Sequence, residues 1–413
     1  MLTTYADILR KPGALRFCAA AFVMRLPMSM LGLGAVLFLT LRGESYALAG
    51  AVSAAGALSN AVVGPFLSRY IDRYSQHRIV PVAISIAVTF QVLFVVSVLE
   101  GWPVWTWFAA FCLGEAFVPT VGSLVRARWA YVLDDAADVR TAFALESVID
   151  EVVFIAGPPI ATLLAISVVQ WGAVGAAVVL LIVGTLWLVP QRRTEPPPAG
   201  DAHREGRGAI RYPGIALVTA VFFFLGGVFG AFEVVTVASA EELGVQGWTG
   251  VLLAVYALGS GLAGLTLGAL HLKAALPAQL RWFLVLLAVV SVPFPFLHSP
   301  VLLGAVAFVA GVAVAPSLIT GMALVERLVP STRLTEGLTI SFAGITVGFA
   351  LAAPTSGLVI DSLGPATAYW ILTGSAIACA VVGLAGGRHL ERALARADAE
   401  AAYSPEAPTA LAE

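Results

Sequence analysis

The chain contains twelve apolar stretches, each long enough to cross a lipid bilayer as a helix. A helix needs about 20 residues to cross the hydrocarbon core, and most charged residues fall in short segments between the stretches. Lipid offers no partner for free backbone polar groups, and the stretches lack strand-like alternation. The sequence therefore predicts an all-α membrane protein with twelve transmembrane helices, at 17–41, 47–67, 79–99, 104–124, 143–164, 171–189, 214–238, 249–270, 282–297, 300–324, 338–360 and 366–384.

Composition excludes several other classes of protein. Charged residues make up 12% of the chain, about half the roughly 25% of an ordinary soluble domain. Only two lysines are present, and no basic stripe indicates a nucleic-acid partner. We find no zinc-protease motif, no phosphate-binding loop and no histidine deep in a span, so we expect neither an enzyme nor a cofactor. The first stretch carries Arg25 and Pro27, and we interpret it as a retained helix rather than a cleaved leader.

The distribution of positive charge predicts the orientation in the membrane. With a cytoplasmic N-terminus, 21 of the 23 lysines and arginines lie on the cytoplasmic side of the predicted spans. By the positive-inside rule, both termini are cytoplasmic in a multi-pass protein of the cytoplasmic (plasma) membrane.

The predicted spans divide into two halves. Residues 1–190 form an N-terminal six-helix bundle and residues 214–390 a C-terminal one, with a flexible cytoplasmic linker at 191–213 and a disordered cytoplasmic tail at 391–413. The pattern Phe-x-x-Gly-x-Ala-x-x-Pro begins at Phe111 and again at Phe308, an offset of 197. Parallel six-helix repeats are typical of one transporter architecture, in which substrate binds between the halves near the bilayer midplane.

Two short motifs carry a family resemblance. The loop after the second span keeps Asp72 and Arg73 of the pattern Gly-x-x-x-Asp-Arg-x-Gly-Arg-Arg, and the fifth span keeps the pair Gly157-Pro158. With twelve spans and a basic central linker, the chain resembles the major facilitator superfamily, and within it the drug and small-metabolite exporters. The resemblance implies a monomer that works by alternating access. It also implies that Asp72 and Arg73 latch the halves, with Asp72 near the N-terminus of the eleventh span or near Arg333. We expect Gly157 and Pro158 to take part in gating as well.

Five ionisable residues lie inside predicted spans: Arg25, Glu115, Asp150, Glu151 and Glu233. Each costs about 2.5–3.5 kcal/mol on insertion scales and marks a candidate functional site. Arg25, Glu115 and Asp150 share one depth, roughly 12–17 Å from the cytoplasmic ends of their spans.

Our hypothesis is that Arg25 faces either Glu115 or the Asp150/Glu151 pair, and that one carboxylate, Glu115 above all, exchanges a proton when substrate binds. The alternative is a static ion pair that only fixes helix packing. Asp150 shares a helix face with Glu146, four residues earlier, whereas Glu151 is turned by about 100°. Glu233, near the predicted outer end of its span, is either a substrate or gate contact or a snorkelling side chain.

Three functions remain open: a proton-coupled exporter, a solute importer or uniporter, and a membrane-embedded sensor or enzyme. The Gly157-Pro158 pair and the acidic N-terminal half favour export of a small organic molecule in exchange for protons. An acidic cavity favours a cationic substrate, but Arg25 opposes that inference, so the sequence leaves the substrate unnamed. We interpret Arg126 and Arg128, at the inner end of the fourth span, as topology determinants.

Overall fold

The computed structural model describes residues 8–198, 209–269, 274–329 and 334–402, and within these ranges the chain is helical with no strand. The helices are α1 (Ala14–Leu41), α2 (Tyr46–Tyr74), α3 (Gln76–Leu99), α4a (Val104–Ala116), α4b (Val121–Val132), α5 (Ala136–Ser167), α6 (Gly172–Leu188), α7 (Ile215–Glu242), α8 (Thr249–Ala269), α9 (Leu276–Ser291), α10 (Pro300–Leu328), α11 (Leu334–Leu363) and α12 (Pro365–Ala402).

Eleven helices in the described part of the chain are long and apolar enough to cross a membrane, with α4a and α4b counted as one span. The exception, α6, is apolar but has only 17 residues, close to the lower limit for a spanning helix. The predicted all-helical membrane fold is therefore confirmed. The predicted span 171–189 is shorter in the structure because α6 begins after Trp171 and ends at Leu188.

A glycine in the left-handed backbone region precedes the first helix of each half. Gly13 (φ 85°) precedes α1 and Gly214 (φ 95°) precedes α7, a conformation that only glycine adopts without strain. A Cβ at Gly13 would be 2.8 Å from Thr194 Cγ2, so α1 begins beside Thr194, in the first part of the linker. We call this side of the molecule the linker face and the opposite side the far face.

Buried apolar side chains form three clusters. Two draw almost all their members from α1–α6, and the third draws almost all of its members from α7–α12. The exceptions are Ala54 of α2, which joins the third cluster, and Val237 of α7, which joins one of the other two. Each half of the chain thus has its own core, and the cores touch near α2 and α7.

Close contact between the halves depends on small residues near the far face. Helix α2 packs against α11, and α5 packs against α8. A Cβ at Gly50 of α2 would be 2.8 Å from the Ala353 carbonyl oxygen, and one at Gly250 of α8 would be 2.5 Å from the Pro158 carbonyl oxygen. Glycine permits this approach because it has no side chain between the backbones.

The fourth span is broken. The sequence predicts an uninterrupted helix over 104–124, but residues 117–120 are not helical. Pro119 has no N–H to donate to the Glu115 carbonyl four residues earlier. Asn60 of α2 replaces that donor, because its Nδ2 donates to the carbonyl oxygens of Glu115 (2.8 Å) and Val118 (3.0 Å). The break therefore has its hydrogen bonds satisfied inside the protein, as lipid surroundings require.

The predicted disordered tail is wrong for its first residues, because α12 continues to Ala402. Leu390 and Leu394 are buried on the third apolar cluster, and Glu391 forms an ion pair with Arg281 at 3.1 Å. This amphipathic pattern gives the helix a surface on which to pack. Residues 403–413 lie outside the described part of the chain.

The beginning of the predicted flexible linker 191–213 is docked on the linker face. Arg128 is fully buried, and its Nη1 donates to the Gln191 carbonyl and to Thr194 Oγ1, both at 2.9 Å. Its Nε donates to Gln76 Oε1 at 2.8 Å. Arg128 therefore joins helices to the linker, a role beyond that of a topology determinant, because its buried guanidinium needs hydrogen-bond acceptors. Residues 199–208 of the linker are not described.

Candidate functional site

Arg25 contacts two carboxylates of α5. It is 1% exposed, and its Nη2 lies 2.5 Å from Glu146 Oε2 while its Nη1 lies 3.2 Å from Asp150 Oδ1. Residues four apart on a helix point to the same side, so one arginine reaches both carboxylates. Of the predicted partners of Arg25, the structure brings Asp150 into contact, and it adds Glu146.

Glu146 contacts Trp129 and Cys18 in addition to Arg25. It is 1% exposed, and its Oε1 accepts hydrogen bonds from Trp129 Nε1 (2.7 Å) and from Cys18 Sγ (3.4 Å). Burial of a charge is tolerated only where it is paired and hydrogen-bonded, and both conditions hold here. The sequence offered one signal for Glu146, its spacing of four from Asp150.

A second arginine completes this group. Arg126 Nη2 lies 3.1 Å from Asp150 Oδ2, and both side chains are about one-third exposed. Our interpretation of Arg126 as a topology determinant is therefore corrected, since the guanidinium turns inward from α4b. We call Arg25, Arg126, Glu146 and Asp150 the charge cluster. Its two positive and two negative formal charges cancel.

Glu115 lies apart from the charge cluster, in the last turn of α4a. Its carboxylate forms no ion pair or hydrogen bond with any described residue. The side chain packs on α2, where a Cβ at Gly56 would be 3.0 Å from Glu115 Cγ. The predicted contact between Arg25 and Glu115 is not formed, because Arg25 is occupied by the two carboxylates of α5.

Glu151 faces the other half of the chain. A Cβ at Gly261 of α8 would be 3.1 Å from Glu151 Oε2, so the carboxylate lies at the contact between α5 and α8. Its neighbour Asp150 points into the N-terminal half, toward Arg25 and Arg126. The two acids have different surroundings, as the helical rotation between adjacent residues predicts. No described cation pairs with Glu151.

Glu233 also lies between the halves. From α7 it reaches Gly32 of α1, because a Cβ at Gly32 would be 3.4 Å from Glu233 Oε1; the same Cβ would be 3.2 Å from Oγ of Ser53 of α2. Its Oε1 is buried and has no hydrogen-bond partner among the described residues. Helix α7 continues to Glu242, which places Glu233 roughly 14 Å from the helix end. This depth favours a contact inside the protein over a snorkelling side chain, and the role of Glu233 stays a prediction.

The predicted gate residues of α5 lie against two other helices. Ser29 Oγ of α1 donates to the Val153 carbonyl at 2.9 Å and fills the space beside Gly157. The Pro158 carbonyl lies against Gly250 of α8. Gly157 and Pro158 thus belong to the packing of α5 on both halves, and their role in gating stays a prediction.

The structure describes two of the three residues of the predicted latch on the linker face. Asp72 and Arg73 are exposed at the end of α2, and the Arg73 guanidinium lies 5.4 Å from the ring centre of Tyr74. Asp72 forms no hydrogen bond or ion pair with a described residue. Arg333 lies outside the described residues, so its predicted part in the latch is not described.

The far face carries a set of contacts that the sequence analysis missed. Asp361, near the end of α11, accepts hydrogen bonds from the backbone N–H groups of Tyr46 and Ala47, both at 2.9 Å. The Tyr46 hydroxyl donates to Glu241 of α7. We call Tyr46, Ala47, Glu241 and Asp361 the far-face clamp. It joins α2 to two helices of the other half, and only long-range packing brings these residues together.

Comparison with known proteins supports the family resemblance. Residues 249–404 match the sequence model of the Major Facilitator Superfamily. The nucleoside transporter NupG superposes with a TM-score of 0.67 at 16% identity, over 90% of this chain and 98% of that one. The chain therefore resembles the major facilitator superfamily, in sequence over residues 249–404 and in fold over 90% of its length. The resemblance inferred from the sequence is therefore confirmed at the level of the superfamily.

A second superfamily structure agrees over a longer part of the chain. A bacterial homolog to the human lysosomal transporter Spinster, solved in an inward-facing and occupied conformation, has a TM-score of 0.63 at 14% identity, covering 95% of this chain and 98% of that one. No curated protein sequence matches the chain. Within the described residues, no group of three or more histidine, cysteine or acidic side chains could hold a metal ion.

Proposed function

We propose that the chain is a secondary active transporter that works by alternating access and exports a small organic molecule in exchange for protons. In this proposal twelve spans form two six-helix halves, 1–190 and 214–390, joined by the linker 191–213. Both termini, and therefore the linker face, are cytoplasmic, as the bias of positive charge indicates. The protein works as a monomer in the cytoplasmic membrane, and its partners are the substrate, protons and the lipid bilayer.

Paired contacts between the halves support the two-fold arrangement. Gly50 of α2 packs on Ala353 and Pro354 of α11, and Gly250 of α8 packs on Pro158 and Pro159 of α5. The same kind of contact thus joins the second helix of each half to the fifth helix of the other. Transporters built from two parallel repeats move the halves as bodies about a site between them.

The positions of these contacts support alternating access. The far-face clamp and both glycine contacts join the halves near the far face. Toward the linker face, α2 instead has Val62, Phe66 and Tyr70 exposed by 54–64%. We infer that this conformation is closed at the far face, toward the outside. Release of the far-face clamp would open the far face.

Proton coupling rests on one observation: Glu233 has a buried, unpartnered carboxylate oxygen between α7 of one half and α1 of the other. A charge in low-dielectric surroundings needs a counter-ion, and a carboxylic acid without one is most readily accommodated after it takes up a proton. Glu115 also lacks a cation and is the second proton carrier of the proposal.

The proposal is tested in energised everted vesicles, whose lumen is acid. A panel of antibiotics, lipophilic cations and metabolites is added while a pH-sensitive dye reports proton release. We expect at least one compound to release protons with the wild type, and Glu115→Gln and Glu233→Gln each to lose most of that release. Glu242→Gln, an exposed acid at the end of the same helix α7, is the matched control. Full release in both test variants would contradict the assignment of proton carriers.

A solute importer is the second candidate, because the chain shares its fold with NupG, which is a nucleoside transporter. Export and import use the same fold and midplane site. If no compound moves protons although the protein is folded, uptake of radiolabelled nucleosides into intact cells decides between import and no transport.

A further inference from the structure

The charges inside the membrane-spanning part do not balance, and this identifies a class of substrate. Among the described residues, Arg25 and Arg126 of the charge cluster each lie within 3.2 Å of a carboxylate. A third buried arginine, Arg128, is hydrogen-bonded to Gln76 and to the beginning of the linker. Glu115, Glu151 and Glu233 then remain without a described cation. We infer that the transported molecule is an organic cation. This inference rests on the proposed transport function and deepens it.

The arginine that opposed a cationic substrate at the sequence level is neutralised by a neighbour. Glu146 holds Arg25 at 2.5 Å, is as buried as Arg25, and is itself fixed by Trp129 and Cys18. The positive charge of Arg25 is therefore balanced inside the charge cluster, although its Nε and Nη1 form no hydrogen bond with a described residue. Glu146 does not line the contact between the halves. It acts as a positioning residue, because its negative charge neutralises Arg25 and the net charge of the interior therefore stays negative.

Two of the unpaired acids lie where a substrate of an alternating-access protein must bind. Glu151 reaches from α5 to α8, and Glu233 reaches from α7 to α1. Glu115 packs at Gly56 of α2, inside the N-terminal half. Glu151 and Glu233 thus lie at the boundary between the halves. The buried, unpartnered Oε1 of Glu233 is the independent sign that a hydrogen-bond donor or a cation is missing there.

Two ions of matched size and opposite charge provide the test: tetraphenylphosphonium and tetraphenylborate. Binding of each to the purified protein in detergent is measured by equilibrium dialysis. We expect the wild type to bind the cation more tightly than the anion by at least about tenfold, since a unit charge on the order of 10 Å away changes affinity by that amount at an effective dielectric constant of ~20.

Variants of the charge cluster show whether the preference for cations depends on the net charge of the interior. Glu146→Gln leaves Arg25 without its closest counter-ion, and we expect it to weaken tetraphenylphosphonium binding by about tenfold. The double variant Arg25→Gln/Glu146→Gln removes one charge of each sign and should regain wild-type preference. Glu233→Gln, which leaves the cluster intact, should also weaken cation binding. The result for Glu233→Gln decides the test if Glu146→Gln does not fold. The control variant Glu242→Gln should bind both ions like the wild type.

Equal binding of both ions, or no measurable binding of tetraphenylphosphonium to the folded wild type, overturns the inference. So does an unchanged preference in both Glu146→Gln and Glu233→Gln. Proton-coupled transport of uncharged compounds without any preference for cations would remove the inference and leave the proposed function. Selective cation binding without transport in vesicles would remove the proposed function instead.

Discussion

At the scale of single residues, the ion pair of Arg25 and Glu146 determines both stability and charge. Removing one partner of a buried pair leaves an uncompensated charge and costs about 3–5 kcal/mol, whereas removing both costs much less. We therefore expect Glu146→Gln to lower the midpoint of thermal unfolding well below that of Arg25→Gln/Glu146→Gln. Unfolding of the purified proteins in one detergent measures this. Equal midpoints in the single and double variants would show that the pair has little energetic coupling.

The residues of this cluster could be predicted only in part. The sequence indicates Arg25 and Asp150 because charged residues inside an apolar stretch are conspicuous. The contacts of Glu146, Trp129 and Arg126 were not predicted, because these residues lie near the predicted span ends, where polar residues are ordinary. Which acid pairs with which arginine depends on helix rotation and packing, and neither is fixed by spacing along one chain. The unpaired state of Glu115 follows from the same packing.

At the scale of helices, the break in the fourth span depends on a residue of another helix. We expect Asn60→Leu to destabilise the fold by about 1–3 kcal/mol, because the Val118 carbonyl loses the Asn60 donor in surroundings without water, and the Glu115 carbonyl keeps only the Val118 N–H at 3.1 Å. Ser85→Ala is the control, since Ser85 is exposed and bonds only within its own helix. A thermal unfolding midpoint as high as that of the control would mean that another donor satisfies the carbonyls.

Helix positions follow from the sequence more readily than helix ends. Apolar length alone gives the spans, because a bilayer imposes that length. The break after Glu115 has a local cause in Pro119, but Pro316, at the matching place of the repeat, lies inside the uninterrupted helix α10. A proline therefore does not fix a break by itself. The continuation of α12 to Ala402 requires the apolar surface that buries Leu390 and Leu394, and that surface exists only after folding.

At the scale of the whole molecule, the far-face clamp is expected to hold the halves together on one side. Thr249, at the start of α8 near the far face, is buried. We expect Thr249→Cys to react slowly with a membrane-impermeant maleimide and faster when Asp361→Ala is added, because α2 loses its bonds to α11. A surface variant with Glu242→Gln in place of Asp361→Ala should react as slowly as the parent. Equal rates with and without Asp361→Ala would show that the clamp does not control access.

Alternating access is tested most directly by measuring distances between the halves on both faces of the protein. Spin labels are attached in a background without the three native cysteines, at Arg42→Cys and Gly247→Cys on the far face, or at Tyr70→Cys and Glu326→Cys on the linker face. Pulsed electron resonance gives the distance in each pair with and without tetraphenylphosphonium, at acid and neutral pH. Alternating access predicts that one distance lengthens when the other shortens. Distances that stay constant, or that lengthen together, would contradict it.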